Sequence, residues 1–189
     1  MPWMVMVQTA VGVVLLAAAG AKIVGQVSVR TFLDALSVPP QISAPVARVL
    51  PVAEGLCGGL LVLRWGGDAV VLAAAALTAG FAITLVVAYV RGVTTGCRCF
   101  GVLDSGQLTP VAVARAIVLA IATIALLTWG TSSNQPGTTA MSLGVLAALA
   151  YIASFAVLEQ VYEFERGRSA VFSRLKANHG TAAVEEAGR

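Results

Sequence analysis

Apolar residues along this chain gather in five long blocks, at 4–23, 45–63, 69–90, 111–129 and 139–161. Each is close to the roughly 20 residues that a helix needs to cross about 30 Å of hydrocarbon. The pattern predicts an all-α, polytopic transmembrane bundle of about five spans. The first block has small residues, Ala17-Ala18-Ala19-Gly20-Ala21, of the kind a signal peptidase accepts. It lacks the basic segment that precedes the apolar core of a signal peptide, so it reads as a span. The second block is the least regular. Pro39-Pro40 stand in the loop before it, Pro51 falls inside it, and Gly55, Gly58 and Gly59 leave one side without bulk. A membrane bundle tolerates such a proline, and small residues at such spacing let helices approach closely.

Polar positions set the orientation. With five spans, one side of the membrane receives Arg64 alone among the basic residues. The other receives Lys22, Arg30 and Arg48, then Arg91, Arg98 and Arg115, then Arg166, Arg168, Arg174, Lys176 and Arg189. The positive-inside rule puts the N-terminus outside and the C-terminus in the cytoplasm. Trp3, Trp65 and Trp129 fall at the outer ends, and Tyr89 and Tyr162 at the inner ones, where amphipathic rings sit among headgroups.

After residue 161 the pattern changes. Glu159, Glu163, Glu165, Arg166 and Arg168 mark the exit from lipid. Val171, Phe172 and Leu175 among Arg174 and Lys176 predict a short amphipathic helix on the inner surface. Residues 181–189 read as disordered. The division that follows is a bundle over 1–130, an additional C-terminal span over 131–163, and a cytoplasmic amphipathic and disordered tail over 164–189. His179, the single histidine, lies in that tail and reads as a solvated residue.

Composition adds one decisive number. Of the 189 residues 58% are hydrophobic and 11% charged, where a soluble domain carries about 25% charged. A soluble fold of this length has no means of covering so much apolar surface. The net charge of +3 says nothing of nucleic acid in a membrane chain. No phosphate-binding loop, catalytic triad or nucleic-acid motif is present in the sequence. The partner that composition does imply is the lipid bilayer.

Chemistry centres on Thr95-Gly96-Cys97-Arg98-Cys99-Phe100-Gly101, between the third and fourth spans. Two thiols one residue apart can close a small, strained disulfide ring, easily broken and remade. The charge of Arg98 favours the reactive thiolate, and the flanking glycines leave the sulfurs approachable. A static disulfide or two ordinary loop residues are the bland alternatives. A closed zinc site wants four ligands, and two thiols without a nearby histidine do not supply them. Cys57 lies in the second span, three residues after Glu54, on the same helical face. A small buried hydrophobe is the common role of such a cysteine. Glu54 stands out more, because a carboxyl inside a span faces a bundle interior or a polar cavity. Accepting a hydrogen bond, pairing with Arg48 and carrying protons are the roles open to it.

The run Gly96-Cys97-Arg98-Cys99-Phe100-Gly101, followed by an apolar helix bearing Arg115, resembles the MauE/DoxX group of redox-associated membrane proteins. The opening span ending Ala19-Gly20-Ala21-Lys22-Ile23 is similar to that group, as is Leu50-Pro51-Val52-Ala53-Glu54-Gly55-Leu56. The resemblance covers roughly residues 5–127. It implies a four-helix core like that of vitamin K epoxide reductase, with the fifth span added. It also implies a thiol–disulfide redox protein that supports maturation or disulfide formation in a partner enzyme, as in methylamine dehydrogenase biogenesis. Cys97 and Cys99 match the redox positions. Arg98, Glu54 and Cys57 are supporting residues. A thioredoxin-like protein or a secreted enzyme client is the implied partner; no cofactor is fixed by the sequence, and coupling to quinone is one option open to a redox protein of this kind. The alternative is a non-catalytic assembly or scaffold subunit that packs its glycine-rich faces on a partner. A transporter fits less well, since Glu54 is the only acidic residue deep in a span before Glu159. The charge pattern puts Cys97 and Cys99 near the cytoplasmic face, whereas a factor serving secreted proteins would present thiols outside.

Overall fold

The computed structural model describes residues 2–24, 26–94, 107–129 and 138–187, and these form six helices. They are α1 (Pro2–Val24), α2 (Gln26–Ala35), α3 (Pro40–Leu63), α4 (Gly67–Val90), α5 (Pro110–Trp129) and α6 (Thr138–Ala187). Five are long and apolar enough to cross a membrane: Trp3–Val24, Pro40–Leu63, Gly67–Val90, Pro110–Thr128 and Thr139–Tyr162. The polytopic helical bundle expected from the apolar blocks is therefore present. Its outer surface confirms the solvent it is built for. Val49, Val52 and Leu56 of α3, Leu72 and Ile83 of α4, Ile121 of α5 and Leu146 of α6 are all exposed. Such a girdle is at home in lipid and would aggregate in water.

α1 is the central helix and packs along α3 and α6, while α4 packs mainly on α5. Small residues make these approaches possible. Gly12 and Gly58 bring α1 and α3 together, because a Cβ at Gly58 would stand 2.8 Å from the Gly12 carbonyl oxygen. Gly144 of α6 lies as closely against α1, with Thr9 Cβ 2.7 Å from where its own Cβ would be. On α4 and α5, Ala74, Thr78, Ala82, Ala112, Ala116, Ala120 and Thr123 are buried. Their spacing of three or four residues forms a shallow ridge on each helix. The hydroxyls of Thr78 and Thr123 meet across it at 2.7 Å. The core has two layers. Val11, Leu15, Leu61, Val71, Ala74 and Leu126 form one, and Phe32, Ala82, Leu85, Ala88, Leu108, Ala116 and Ala120 the other.

Helix ends are set locally. Pro40 opens α3 at a position where its missing N–H costs nothing. The helix then runs unbroken through Pro45 and Pro51, and so begins five residues before the span read from the sequence. It stops at Arg64, left-handed at φ 57°, where Trp65 N–H donates to the Leu60 carbonyl at 2.9 Å. Gly66 at φ 92° turns the chain directly into α4, a conformation that a side chain would strain.

Two elements differ from the sequence pattern. α2 occupies residues expected to be loop. Its ten residues are too few and too polar to span a membrane, so hydropathy alone passes over them. Val29 and Phe32 are nevertheless buried against the bundle, and Ser43 Oγ donates to Asp34 Oδ1 at 3.1 Å to tie α2 to α3. The second difference is α6. It carries on from the fifth span to Ala187 as one helix of 50 residues, about 75 Å long. The segment beyond Tyr162 therefore extends past the hydrocarbon, and residues 181–187 are helical rather than disordered. Their composition, Ala and Glu with one Thr and one Val, suits a helix.

Candidate functional site

Charged side chains inside the bundle are the least expected feature of an apolar chain. Among the described residues the buried ones are Lys22, Glu54, Arg115 and Glu159, at 2%, 3%, 6% and 2% exposure. They form two pairs. Lys22 Nζ donates to Glu54 Oε1 at 2.7 Å and to Oε2 at 2.6 Å. Arg115 Nη1 lies 3.9 Å from Glu159 Oε2. The Phe81 ring faces Lys22, its centroid 5.1 Å from Nζ, which adds a cation–π attraction. Tyr151 Oη donates to the Arg115 carbonyl at 2.7 Å.

Each residue is placed by its helix. Lys22 stands near the end of α1, where a charge would ordinarily reach for the membrane surface. Here α2 folds over that end, and Val29, Phe32 and Leu33 line a cavity of about 310 Å³ with Lys22. The ammonium is thus covered and must find its counter-charge inside. Glu54 supplies it from α3. The pairing with Arg48 open to Glu54 from the sequence does not form, since Arg48 is exposed and Lys22 takes both carboxylate oxygens.

Cys57, one turn beyond Glu54, carries a free, half-buried thiol. It packs with the layer of Val11, Leu61, Val71, Ala74 and Leu126. Cys97, Arg98 and Cys99 lie outside the described residues, but both ends of their connection are fixed. Leu108 N–H donates to the Thr94 carbonyl at 2.8 Å, and Thr109 Oγ1 accepts from Ala112 N–H at 3.1 Å to cap α5. Those ends stand where α4 finishes and α5 begins, away from the Cys57 layer. Along α4 the rise from Ala74 to Val90 is about 24 Å. Cys57 therefore belongs to the opposite half of the bundle from Thr94 and Leu108.

The sequence singled out Glu54 but not its partner, nor Tyr151 and the Arg115–Glu159 pair as interior groups. Position within the spans was the available signal. Arg115 lies a turn inside α5, Glu159 lies inside the fifth span, and a charge there calls for a partner. A Glu159→Leu variant should remove the contact between Arg115 and α6 and loosen α6 from the bundle. Earlier unfolding of α6 by hydrogen exchange would show it, and an unchanged exchange profile would contradict it.

The family model described as Methylamine utilisation protein MauE matches residues 2–130. That stretch carries Lys22, Glu54, Cys57, Cys97, Cys99 and Arg115. The chain belongs to the MauE family. The MauE match ends before α6, so Glu159 and Tyr151 reach into the MauE region from outside it. No curated protein and no solved structure matches the chain. Among the described residues no three Asp, Glu, His or Cys side chains are grouped to hold a metal.

Proposed function

We propose that this MauE-family membrane protein is a thiol–disulfide redox protein that supports maturation or disulfide formation in a partner enzyme. The family description supports a place for this protein in methylamine utilisation, and methylamine dehydrogenase is the client that the resemblance suggests. Cys97 and Cys99 are the exchanging pair and Arg98 favours their thiolates. One observation carries the reading. The Cys-x-Cys run falls within the family match, on a connection whose two ends are joined through Thr94 and Leu108. That contact holds together the two described ends between which the sequence carries the pair.

The proposed orientation keeps the N-terminus outside and the C-terminus in the cytoplasm. Buried pairing removes Lys22 and Arg115 from the eleven basic residues on the inner side, because neither is available to headgroups. Nine against Arg64 still supports that orientation. The division into a bundle over 1–130, an added span over 131–163 and a tail over 164–189 fits the end of the family match. A thioredoxin-like protein is then the partner on the cytoplasmic face.

Labelling with a membrane-impermeant maleimide, in a Cys57→Ala background, tests both parts. The expected result is labelling in opened cells only, and only after reduction. Labelling of intact cells after reduction would reverse the orientation and keep the redox chemistry. Cys97→Ser and Cys99→Ser should each reduce client maturation to background while the protein stays in the membrane. Full maturation in the double serine variant would end the redox reading.

A further inference from the structure

Within the fifth span, α6 meets the bundle with one side only. At 3.6 residues per turn, Gly144, Ala148, Tyr151, Phe155 and Glu159 fall on that side, and all five are buried or half-buried. On the opposite side Leu146, Ala153 and Val157 fall on one line, exposed to lipid.

Beyond Tyr162, where that span ends, the two sides change differently. The bundle side becomes mainly polar or small, with Arg166, Ser169, Ser173 and Gly180, as suits a helix with no bundle left to touch. The lipid side does not turn polar where the lipid ends. Phe164, Val171, Leu175 and Ala182 continue the line of Leu146, Ala153 and Val157. The line is straight for about ten turns, roughly 54 Å. Phe164, the first of its residues past the span, is 70% exposed on the single chain. A row of that length outside lipid calls for a cover. The helix needs one too. It carries Gly167, Asn178 and Gly180, which are weak helix formers, and a projecting helix draws most of its stability from packing.

Headgroups do not supply that cover. α6 is unbroken and holds no proline, so it leaves the membrane in line with its span. A soluble protein would cover only the outer half of the line, and lipid only the inner half. The line crosses the membrane boundary without changing side. Its cover is therefore a helix that crosses there as well and goes on for about 38 Å. α6 of a second copy has that shape in the same register. Arg168, at the edge of the line, lies 3.8 Å from Glu165 of its own chain, so it sets no bare charge against its like.

We infer that the protein is a parallel, two-fold dimer whose α6 helices meet along this line, inside the membrane and beyond it. Such an interface is isologous, and residues near the axis face their own copies. It lies outside the MauE match and is independent of the chemistry of Cys97 and Cys99.

The test is disulfide cross-linking in native membranes, with the full chain freed of its own thiols by Cys57→Ala, Cys97→Ser and Cys99→Ser. Leu175→Cys should give a cross-linked dimer about tenfold more readily than Ser173→Cys, which faces away from the axis. Equal yields would mean chance collision and overturn the inference. Subunit counting by single-molecule photobleaching, at high dilution in lipid vesicles, should give two steps for the wild type. Val171→Glu/Leu175→Glu should raise the single-step fraction about tenfold with the chain still in the membrane, and Ser169→Glu/Ser173→Glu should keep two steps. A single step from the wild type, or two steps from Val171→Glu/Leu175→Glu, would overturn the inference.

Discussion

Lys22→Met should destabilise the protein by about 3–5 kcal/mol, because it leaves the Glu54 carboxylate buried with no counter-charge. Glu54→Leu should do comparable harm by leaving the ammonium alone. The double variant Lys22→Met/Glu54→Leu should recover most of the loss. Two charges taken out of water together gain from one another roughly what their desolvation costs, and an apolar pair of similar volume avoids both terms. Unfolding in nanodiscs, followed by temperature or by added denaturing detergent, gives the four free energies of the cycle. Additive single and double effects would mean that the contact at 2.6 Å carries no coupling. Recovery of stability without recovery of function would instead show that the pair is retained for what it does in the bundle. Phe81 refines the expectation. Its ring 5.1 Å from Nζ favours the cation in Glu54→Leu but gives nothing to a lone carboxylate. Lys22→Met should therefore be the worse single substitution.

This pair also marks where the sequence stops being legible. The spans are visible in it because hydrocarbon demands long apolar runs, and α3, α4 and α5 follow them to within a few residues. Glu54 stands out for the same reason, as a carboxyl where none is cheap. Lys22 does not, because it sits at the end of an apolar run, where lysine normally reaches toward headgroups. Only α2 folding over it changes its surroundings. α2 is itself nearly invisible, since a helix lying across the end of a bundle has neither the length nor the hydropathy of a span. Pairings between helices depend on rotation about each helix axis, which apolar blocks leave undetermined. Arg48 is nearer to Glu54 in sequence and Lys22 is nearer in space. The Cys-x-Cys run shows the reverse. Its chemistry is readable from residue type and spacing, and from the helices flanking it only the anchors at Thr94 and Leu108 can be added.

Gly58 and Gly59, adjacent in sequence, should answer substitution in opposite ways. A Cβ at Gly58 would stand 2.8 Å from the Gly12 carbonyl oxygen, 3.0 Å from Leu16 N and 3.1 Å from Leu15 Cβ. Two of these are backbone atoms and cannot swing aside. Gly58→Leu should force α1 and α3 apart and cost about 3 kcal/mol, the upper end of what overpacking takes. Gly59 has nothing within 4 Å of where its Cβ would lie. Gly59→Leu should change stability by less than about 0.5 kcal/mol. Detergent-unfolding midpoints measure the contrast, and equal losses at both positions would contradict the packing described. The same pair separates the two readings of function. A redox protein working through Cys97 and Cys99 should tolerate Gly59→Leu. An assembly subunit holding its partner on this bare face should not, and would lose client maturation while its own stability stayed intact. Gly59 is thus a position where a defect without instability identifies a partner surface, and Gly58 is one where it cannot.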